Sequence, residues 1–135
     1  MIYYLDTNTC IYFLNGSYSS VREKILNTSP ELIVIPSIVK AELVFGAYKS
    51  KKREVTLNKV EEFLSPFEIL PFSDPMTYVY ADIRSSLERN GSSIGPNDMF
   101  IAATVLTKNG TLVTHNTREF SRVDGLKIED WVIES

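Results

Sequence analysis

Short, mostly apolar runs recur along this chain, separated by longer segments with helical spacing. They occupy residues 2–5, 32–35, 67–72 and 111–114, with a possible fifth run at 126–128. Apolar runs without polar alternation are typical of strands that are covered on both faces, as in parallel sheets. Because parallel strands need a crossover connection, usually a helix, the alternation predicts an α/β fold with a central, mostly parallel sheet of four to five strands flanked by helices.

The segments between these runs carry start and stop signals for helices. Helices are predicted over residues 7–15, 19–27, 38–50, 55–64, 74–90 and 96–106. The strongest start signals are Ser73-Asp74-Pro75 and Gly95-Pro96, and the clearest stop signal is Asn109-Gly110. The chain has 135 residues and no linker, repeat or low-complexity tract, so residues 1–135 are expected to form a single domain.

The composition limits where such a protein can work. Hydrophobic residues make up 44% of the chain, which is enough for a packed core. A single cysteine, Cys10, excludes an internal disulfide and suits a reducing compartment. The amino terminus has no secretory signal, and no apolar run reaches about 18 residues, the length needed to cross a bilayer. We therefore expect a cytoplasmic protein without a membrane partner.

Three carboxylates interrupt the apolar segments. Asp6 directly follows the first predicted strand, at the edge of the sheet where open α/β folds bind ligands. Glu42 shares a helical stripe with apolar or small residues, namely Ile38, Val39, Phe45 and Gly46. Asp98 lies just after Pro96 and shares a stripe with Ile101, Ala102 and Val105. If each helix follows or packs beside a parallel strand, the three acids meet at one edge of the sheet.

A bound divalent cation would explain this pattern. Unpaired buried carboxylates are strongly unfavourable, and neither Glu42 nor Asp98 has a lysine or arginine at helical spacing on its own stripe. Oxygen ligands without histidine or cysteine favour Mg²⁺ or Mn²⁺ over zinc. Simpler interpretations exist for Asp6 as a helix N-cap and for Asp98 as a first-turn acid. Since these would require three coincidences at one edge, the metal site is preferred.

Five sequence blocks resemble the PIN-domain endoribonucleases, in particular the VapC-type toxins of toxin–antitoxin pairs. The blocks are residues 4–8, 35–43, 94–103, 112–120 and the tail 125–131. They occur in the family's order and span nearly the whole chain. The resemblance implies a PIN-like three-layer sandwich and a metal-dependent endoribonuclease, in which a metal-bound water attacks an RNA phosphodiester in line.

The resemblance also implies roles for single residues. Asp6 and Asp98 would bind Mg²⁺ or Mn²⁺, and Glu42 would do so directly or through water. Asn116 stands where many PIN domains carry an acid, and Glu119 could supply that carboxylate instead, so one-metal and two-metal sites both stay open. Four polar residues would support the acids by hydrogen bonding, or serve only as caps: Asn8, Ser37, Thr114 and Asn116.

The partners implied by the resemblance are RNA, with tRNA as one candidate, and a small VapB-type antitoxin covering the active site. A homodimer within a toxin–antitoxin hetero-oligomer is also implied. A basic segment either contacts RNA phosphates or forms a solvated turn between helices, and it comprises Lys49, Lys51, Lys52 and Arg53. The only histidine, His115, follows the fourth predicted strand and is interpreted as a loop residue.

Taken alone, the net charge of −3 argues against RNA, because nucleic acids are bound mainly through basic side chains. The chain has 17 acidic and 14 basic residues. Setting Asp6, Glu42 and Asp98 apart as a metal site leaves 14 acids against 14 bases. The slight acidity is therefore mostly the proposed active site, and it does not exclude an RNA substrate.

Two alternatives stay open on sequence alone. Residues 3–9 superficially resemble the nucleophile loop of haloacid-dehalogenase-like phosphatases, although Asn8 replaces the general acid and the late pair of acids is missing. A catalytically inactive PIN-like binding module is the other, against which the intact Asp6, Glu42 and Asp98 argue. Hydrolysis of p-nitrophenyl phosphate that is lost in Asp6→Ala would identify the phosphatase, and failure to bind Mn²⁺ would identify the inactive module.

Overall fold

Five parallel strands form one sheet in this computed structural model, which describes residues 1–133 of the expected domain and leaves residues 134–135 outside its range. The strands are β1 (Tyr3–Leu5), β2 (Ile33–Pro36), β3 (Glu68–Leu70), β4 (Thr111–Val113) and β5 (Lys127–Glu129). Their order is β3-β2-β1-β4-β5, and every neighbouring pair is parallel. The predicted fold class is therefore confirmed.

Helices connect the strands. They are α1 (Thr7–Asn15), α2 (Ser19–Leu26), α3 (Ser37–Tyr48), α4 (Arg53–Leu64), α5 (Asp74–Arg89), α6 (Pro96–Lys108) and α7 (Thr117–Phe120). The first six agree with the predicted helices to within a few residues, whereas α7 and a 3₁₀ turn at Pro30–Leu32 were not predicted. Both segments are too short to show hydrophobic periodicity. Within residues 1–133, no helix combines the length and apolar character that a membrane-spanning segment needs.

The strand order creates a switch point beside β1. From β1 the chain moves outward through β2 and β3, then crosses back to place β4 on the other side of β1. The backbone N–H of Asp6 continues this pairing beyond the strand, donating to the carbonyl of Val113 at 3.2 Å. In open α/β sheets such a crevice, at the carboxyl ends of the strands, is where ligands bind.

The core lies on both sides of the central strands. Leu5, Ile33, Ile35 and Leu112 are fully buried, which explains why these strands are continuously apolar. Gly110 has a packing role, since a Cβ atom there would lie 2.2 Å from Cε1 of Tyr4. The predicted stop at Asn109-Gly110 therefore also leaves room for the Tyr4 ring.

Candidate active site

Asp6 sits directly after β1, at the switch point. Its side chain is 5% exposed, and its Oδ1 accepts a hydrogen bond of 2.8 Å from the backbone N–H of Thr9, so it caps α1. The capping interpretation is thus correct, but it uses only one carboxylate oxygen. Oδ2 accepts a hydrogen bond of 2.6 Å from the hydroxyl of Thr114, at the end of β4. Burial raises the pKa of Asp6, the hydrogen bonds from Thr114 and Thr9 oppose this, and the negative charge of Glu42 adds to it.

Glu42 lies in the middle of α3 and is half-buried. Its Oε1 accepts a hydrogen bond of 2.6 Å from the hydroxyl of Thr7, in the first turn of α1. The predicted apolar stripe around Glu42 is partly wrong, because Phe45 is 64% exposed. The buried face of α3 is formed instead by Val39, Leu43 and Ala47. Glu42 therefore lies at the edge of the buried face of α3, and its side chain contacts α1.

Asp98 occupies the first turn of α6, two residues after Pro96. Burial, followed by the negative charges of Asp6, Glu42 and Glu119, raises the pKa of Asp98 to about 6. Electrostatic coupling of this kind requires the carboxylates to be close together. Asp98 is therefore within electrostatic reach of Asp6, Glu42 and Glu119.

The segment after β4 links Asp6 to Glu119 through a chain of hydrogen bonds. The hydroxyl of Thr114, which donates to Asp6, accepts a hydrogen bond of 3.0 Å from the backbone N–H of Asn116. The side-chain amide of Asn116 in turn donates to Oε2 of Glu119 at 3.1 Å. Of the predicted supporting residues, Thr114 thus contacts an acid of the cluster directly, and Asn116 holds Glu119.

The other two predicted supporting residues do not contact the acids. Asn8 is exposed, and within residues 1–133 neither it nor Ser37 makes a hydrogen bond to any of the four carboxylates. Thr7 and Thr9, which flank Asn8, make those contacts instead. The hydrogen bond from the Thr9 backbone N–H to Asp6 was available from the sequence, since an N-cap acid accepts from the N–H three residues later. The contact between Thr7 and Glu42 joins two helices and has no local sequence signal.

The cluster is strongly acidic. In the described part of the chain, the ion pairs are Arg84–Glu88 and the pair His115–Asp130, so no lysine or arginine neutralises the four acids. Uncompensated carboxylates that oppose one another in this way form a donor set that suits a hard divalent cation.

The geometry for a metal ion is not fully assembled. As the side chains of residues 1–133 are placed, no group of three or more carboxylate, histidine or cysteine residues could hold a metal ion. Asp6 directs both oxygens to hydrogen-bond donors, and Glu42 directs one to Thr7. The metal-ligand roles of Asp6, Glu42, Asp98 and Glu119 therefore stay predictions.

The basic segment lies away from the acids, at the end of α3 and the turn that follows. Lys49 is seven residues after Glu42, a separation of about 10 Å along a helix axis. The Arg53 guanidinium donates to the carbonyl of Tyr48 at 2.9 and 3.1 Å and packs over its ring. Lys49 lies over the ring of Phe45, 5.0 Å from its centroid. Arg53 thus satisfies the end of α3, and an RNA-binding role for Lys49, Lys51, Lys52 and Arg53 stays a prediction.

Comparison with known proteins gives a consistent result. The family model described as "PIN domain" matches residues 3–126. A relative in Rickettsia felis, named Ribonuclease VapC2, is 44% identical over 132 residues, which cover 97% of this chain and 98% of the relative. A tRNA(fMet)-specific endonuclease VapC in Salmonella typhimurium is 41% identical, covering 94% and 96%. The crystal structure of VapBC2 from Rickettsia felis, bound to a promoter DNA fragment, contains a chain with a TM-score of 0.88 and 42% identity, covering 97% and 99%.

Proposed function

This chain belongs to the PIN domain family, and we propose that it is an endoribonuclease that acts as the toxin of a toxin–antitoxin pair. The family prediction made from the sequence is thereby confirmed. Relatives that match nearly the whole chain are named as ribonucleases, and the matched crystal structure is a VapBC complex. The observation that carries the proposal is the coupling of Asp98 to Asp6, Glu42 and Glu119 at the switch point of the sheet. The phosphatase alternative has no support from the family match.

Membership of the PIN domain family, together with the acidic cluster, supports a divalent metal ion as cofactor. We propose that Asp6 and Asp98 of this chain bind Mg²⁺ or Mn²⁺, with Glu42 bound directly or through water. When bound, such an ion lowers the pKa of a coordinated water and stabilises negative charge on phosphoryl oxygens. The ion's positive charge would offset the negative charges of Asp6, Glu42 and Glu119, which together with burial raise the pKa of Asp98.

The neighbouring polar residues have orienting roles in this proposal. Thr114 and Thr9 hold the Asp6 carboxylate in one orientation, and Thr7 holds Glu42. Asn116 directs Glu119 towards the cluster, so that Glu119 supplies the fourth carboxylate and Asn116 positions it. Whether one metal ion or two are bound depends on how closely Glu119 approaches the ion.

The RNA substrate and the protein partners are carried over from the relatives as proposals. One relative is named a tRNA(fMet)-specific endonuclease, which makes tRNA one candidate substrate for this chain. The matched VapBC structure supports a small VapB-type antitoxin as partner. We also propose that residues 1–135 form one PIN domain that acts on RNA in the cytoplasm. We also propose a homodimer, on the resemblance alone.

Cleavage of RNA by the purified chain tests the proposal. Total cellular RNA is incubated with the protein in Mg²⁺ or Mn²⁺, and the new 5′ ends are mapped. Discrete ends that disappear in EDTA and in Asp98→Ala are expected, as is growth arrest on expression that Asp6→Ala or Asp98→Ala relieves. The proposal would be contradicted if wild type and both variants were equally toxic. It would also be contradicted if RNA stayed intact in both metals, a result that would favour the inactive binding module.

A further inference from the structure

Three aromatic rings lie side by side next to the acid cluster. The rings of Tyr12 and Tyr18 meet edge to face with centroids 4.8 Å apart. The imidazole of His115 lies 6.0 Å from the Tyr18 centroid and 6.4 Å from that of Tyr12. Tyr12 is on α1, Tyr18 caps the start of α2 and His115 follows β4, so three separate segments bring the rings together.

The aromatic cluster, meaning Tyr12, Tyr18 and His115, borders the acids. His115 directly follows Thr114, whose hydroxyl donates to Asp6. Burial, followed by the charges of Tyr18, Asp6 and Asp130, raises the pKa of Tyr12, which puts Tyr12 within electrostatic reach of Asp6. The aromatic cluster therefore neighbours Asp6.

The cluster is held in place but is not enclosed. Nδ1 of His115 lies 2.9 Å from Oδ2 of Asp130, and the His115 side chain is 37% exposed. Tyr12 and Tyr18 are also partly exposed. Within residues 1–133, no protein group hydrogen-bonds the hydroxyl of either tyrosine. The rings thus offer both an apolar surface and hydroxyl groups to a ligand.

We propose that Tyr12, Tyr18 and His115 form a stacking site for one base of single-stranded RNA, beside the phosphate that the acid cluster acts on. The proposal rests on the proposed ribonuclease function and adds a binding site for a nucleobase. Other exposed aromatic rings fit this role less well, because Phe45 and Tyr48 on α3 already have a face occupied by Lys49 and Arg53. Stacking is tolerant of base identity, since every base has a π face.

The charge of the chain makes such a site useful. With a net charge of −3, the protein gains less from phosphate contacts than basic nucleic-acid-binding domains do. Base stacking does not depend on counterion release, so it contributes at physiological salt. Removing a stacking ring weakens binding by about 5- to 150-fold per base.

The test measures binding without cleavage, in the full chain carrying Asp98→Asn. The probes are a short fluorescein-labelled single-stranded oligouridylate and a strand of equal length with abasic riboses, and affinity is read by fluorescence anisotropy at several salt concentrations. We expect Tyr18→Leu to weaken oligouridylate binding at least about fivefold, with the abasic strand and the salt dependence unchanged. Tyr18→Trp should preserve binding.

Controls separate stacking from folding. Tyr78→Leu removes a tyrosine that is 76% exposed on α5 and should bind both strands as the parent does. If Tyr18→Leu lowers the unfolding temperature, His115→Leu provides the second variant, because it removes another ring of the aromatic cluster from a separate segment of the chain.

Two results would overturn the stacking site. One is equal affinity of the parent for the two strands, and the other is an equal loss for both strands in Tyr18→Leu and His115→Leu. Either result leaves the ribonuclease function standing if total RNA is still cut. A chain that cuts no RNA in Mg²⁺ or Mn²⁺ would instead refute the function itself.

Discussion

The hydroxyl of Thr114 donates a hydrogen bond of 2.6 Å to Oδ2 of Asp6, joining two residues that lie 108 positions apart in the chain. Both groups are buried, and each follows a central strand of the sheet. The bond exists because β4 pairs with β1 in parallel register, which brings the ends of the two strands level. It fixes the orientation of the most buried carboxylate in the acid cluster.

Replacing Thr114 with valine tests this contact. Thr114→Val keeps the shape of the side chain but leaves a buried carboxylate oxygen without its donor, so we expect a loss of about 1–3 kcal/mol in stability. RNA cleavage should fall about tenfold or more, because residues that orient metal ligands affect activity on that scale. Urea denaturation and cleavage rates measure the two effects.

Thr104→Val is the matched control for that substitution. The Thr104 hydroxyl is also buried, but it donates to the carbonyl of Phe100 within α6. The Thr104→Val variant should lose some stability and keep its cleavage rate. Thr114→Ser should keep both its stability and its cleavage rate. If Thr114→Val cut RNA as fast as wild type, the orienting role would be disproved.

The raised pKa of Asp98 predicts a pH-dependent stability. Burial and the nearby charges of Asp6, Glu42 and Glu119 raise it from 3.8 to about 6. The folded chain therefore binds more protons than the unfolded chain between these pKa values, and stability falls as the pH rises from about 4 to about 6. In metal-free buffer at pH 7, Asp98→Asn should be more stable than wild type by about 1–2 kcal/mol, allowing for solvent screening of a partly exposed carboxylate.

Urea denaturation of both proteins across this pH range provides the measurement. Well below the ordinary pKa of 3.8, at about pH 3, Asp98 is protonated in both states, so the two proteins should have the same stability. If the two proteins differed in stability by the same amount at every pH, the substitution would act through packing and not through charge.

Binding of Mn²⁺ should stabilise the chain. A ligand that binds only the folded state at 100 times its dissociation constant adds about 2.7 kcal/mol, which appears as a higher unfolding temperature. Asp6→Asn and Asp98→Asn should lose this stabilisation, while Asp82→Asn, an exposed acid on α5, should keep it. Calorimetric titration with Mn²⁺ gives an independent readout, and identical titrations for all four proteins would argue against a metal site at the acid cluster.

Asn116→Asp probes the fourth position of the acid cluster. The substitution replaces the amide that donates to Glu119 at 3.1 Å with a second carboxylate. In EDTA the variant should be less stable by about 1 kcal/mol or more, because a hydrogen bond becomes a repulsion. In Mn²⁺ it should gain more stability than wild type does, since the added carboxylate can bind or attract the ion.

Asn58→Asp, at an exposed position of α4, is the control for this substitution. It makes the same chemical change away from the acid cluster, on a helix face that carries Glu54, Glu61 and Glu62 at helical spacing. Repulsion from these acids should lower its stability by only about 0.2–0.5 kcal/mol per pair, and its Mn²⁺ response should equal that of wild type. A Mn²⁺ response of Asn116→Asp no larger than that of wild type would place Glu119 and Asn116 outside the metal site.

Much of the fold could be predicted from local patterns. The apolar runs identified all five strands, and the first six helices began and ended within a few residues of their predicted bounds. Proline and glycine signals worked well because they restrict the backbone locally, as at Gly95-Pro96 before α6. The four-residue helix α7 was missed, since so short a segment has no periodicity.

Side-chain surroundings were predicted less well. Phe45 was assigned to the buried stripe of α3 and is exposed, while Leu43 and Ala47 are buried. The apolar residues of α3 extend around more than one face, so spacing alone could not select the one that packs. Asn8 and Ser37 were similarly expected beside the acids, and the contacts are made by Thr7, Thr9 and Thr114.

The sequence by itself determined the order of the strands and helices along the chain. It also placed one acid directly before α1, one in the middle of α3 and one in the first turn of α6. These properties depend on hydrophobic periodicity and capping, which act over a few residues. Only the tertiary structure decided that β4 lies next to β1, and so that Thr114 holds Asp6, that Thr7 holds Glu42, and that Tyr12, Tyr18 and His115 meet beside the acids. Such contacts join distant segments, and their geometry follows from strand pairing and helix packing across the whole sheet.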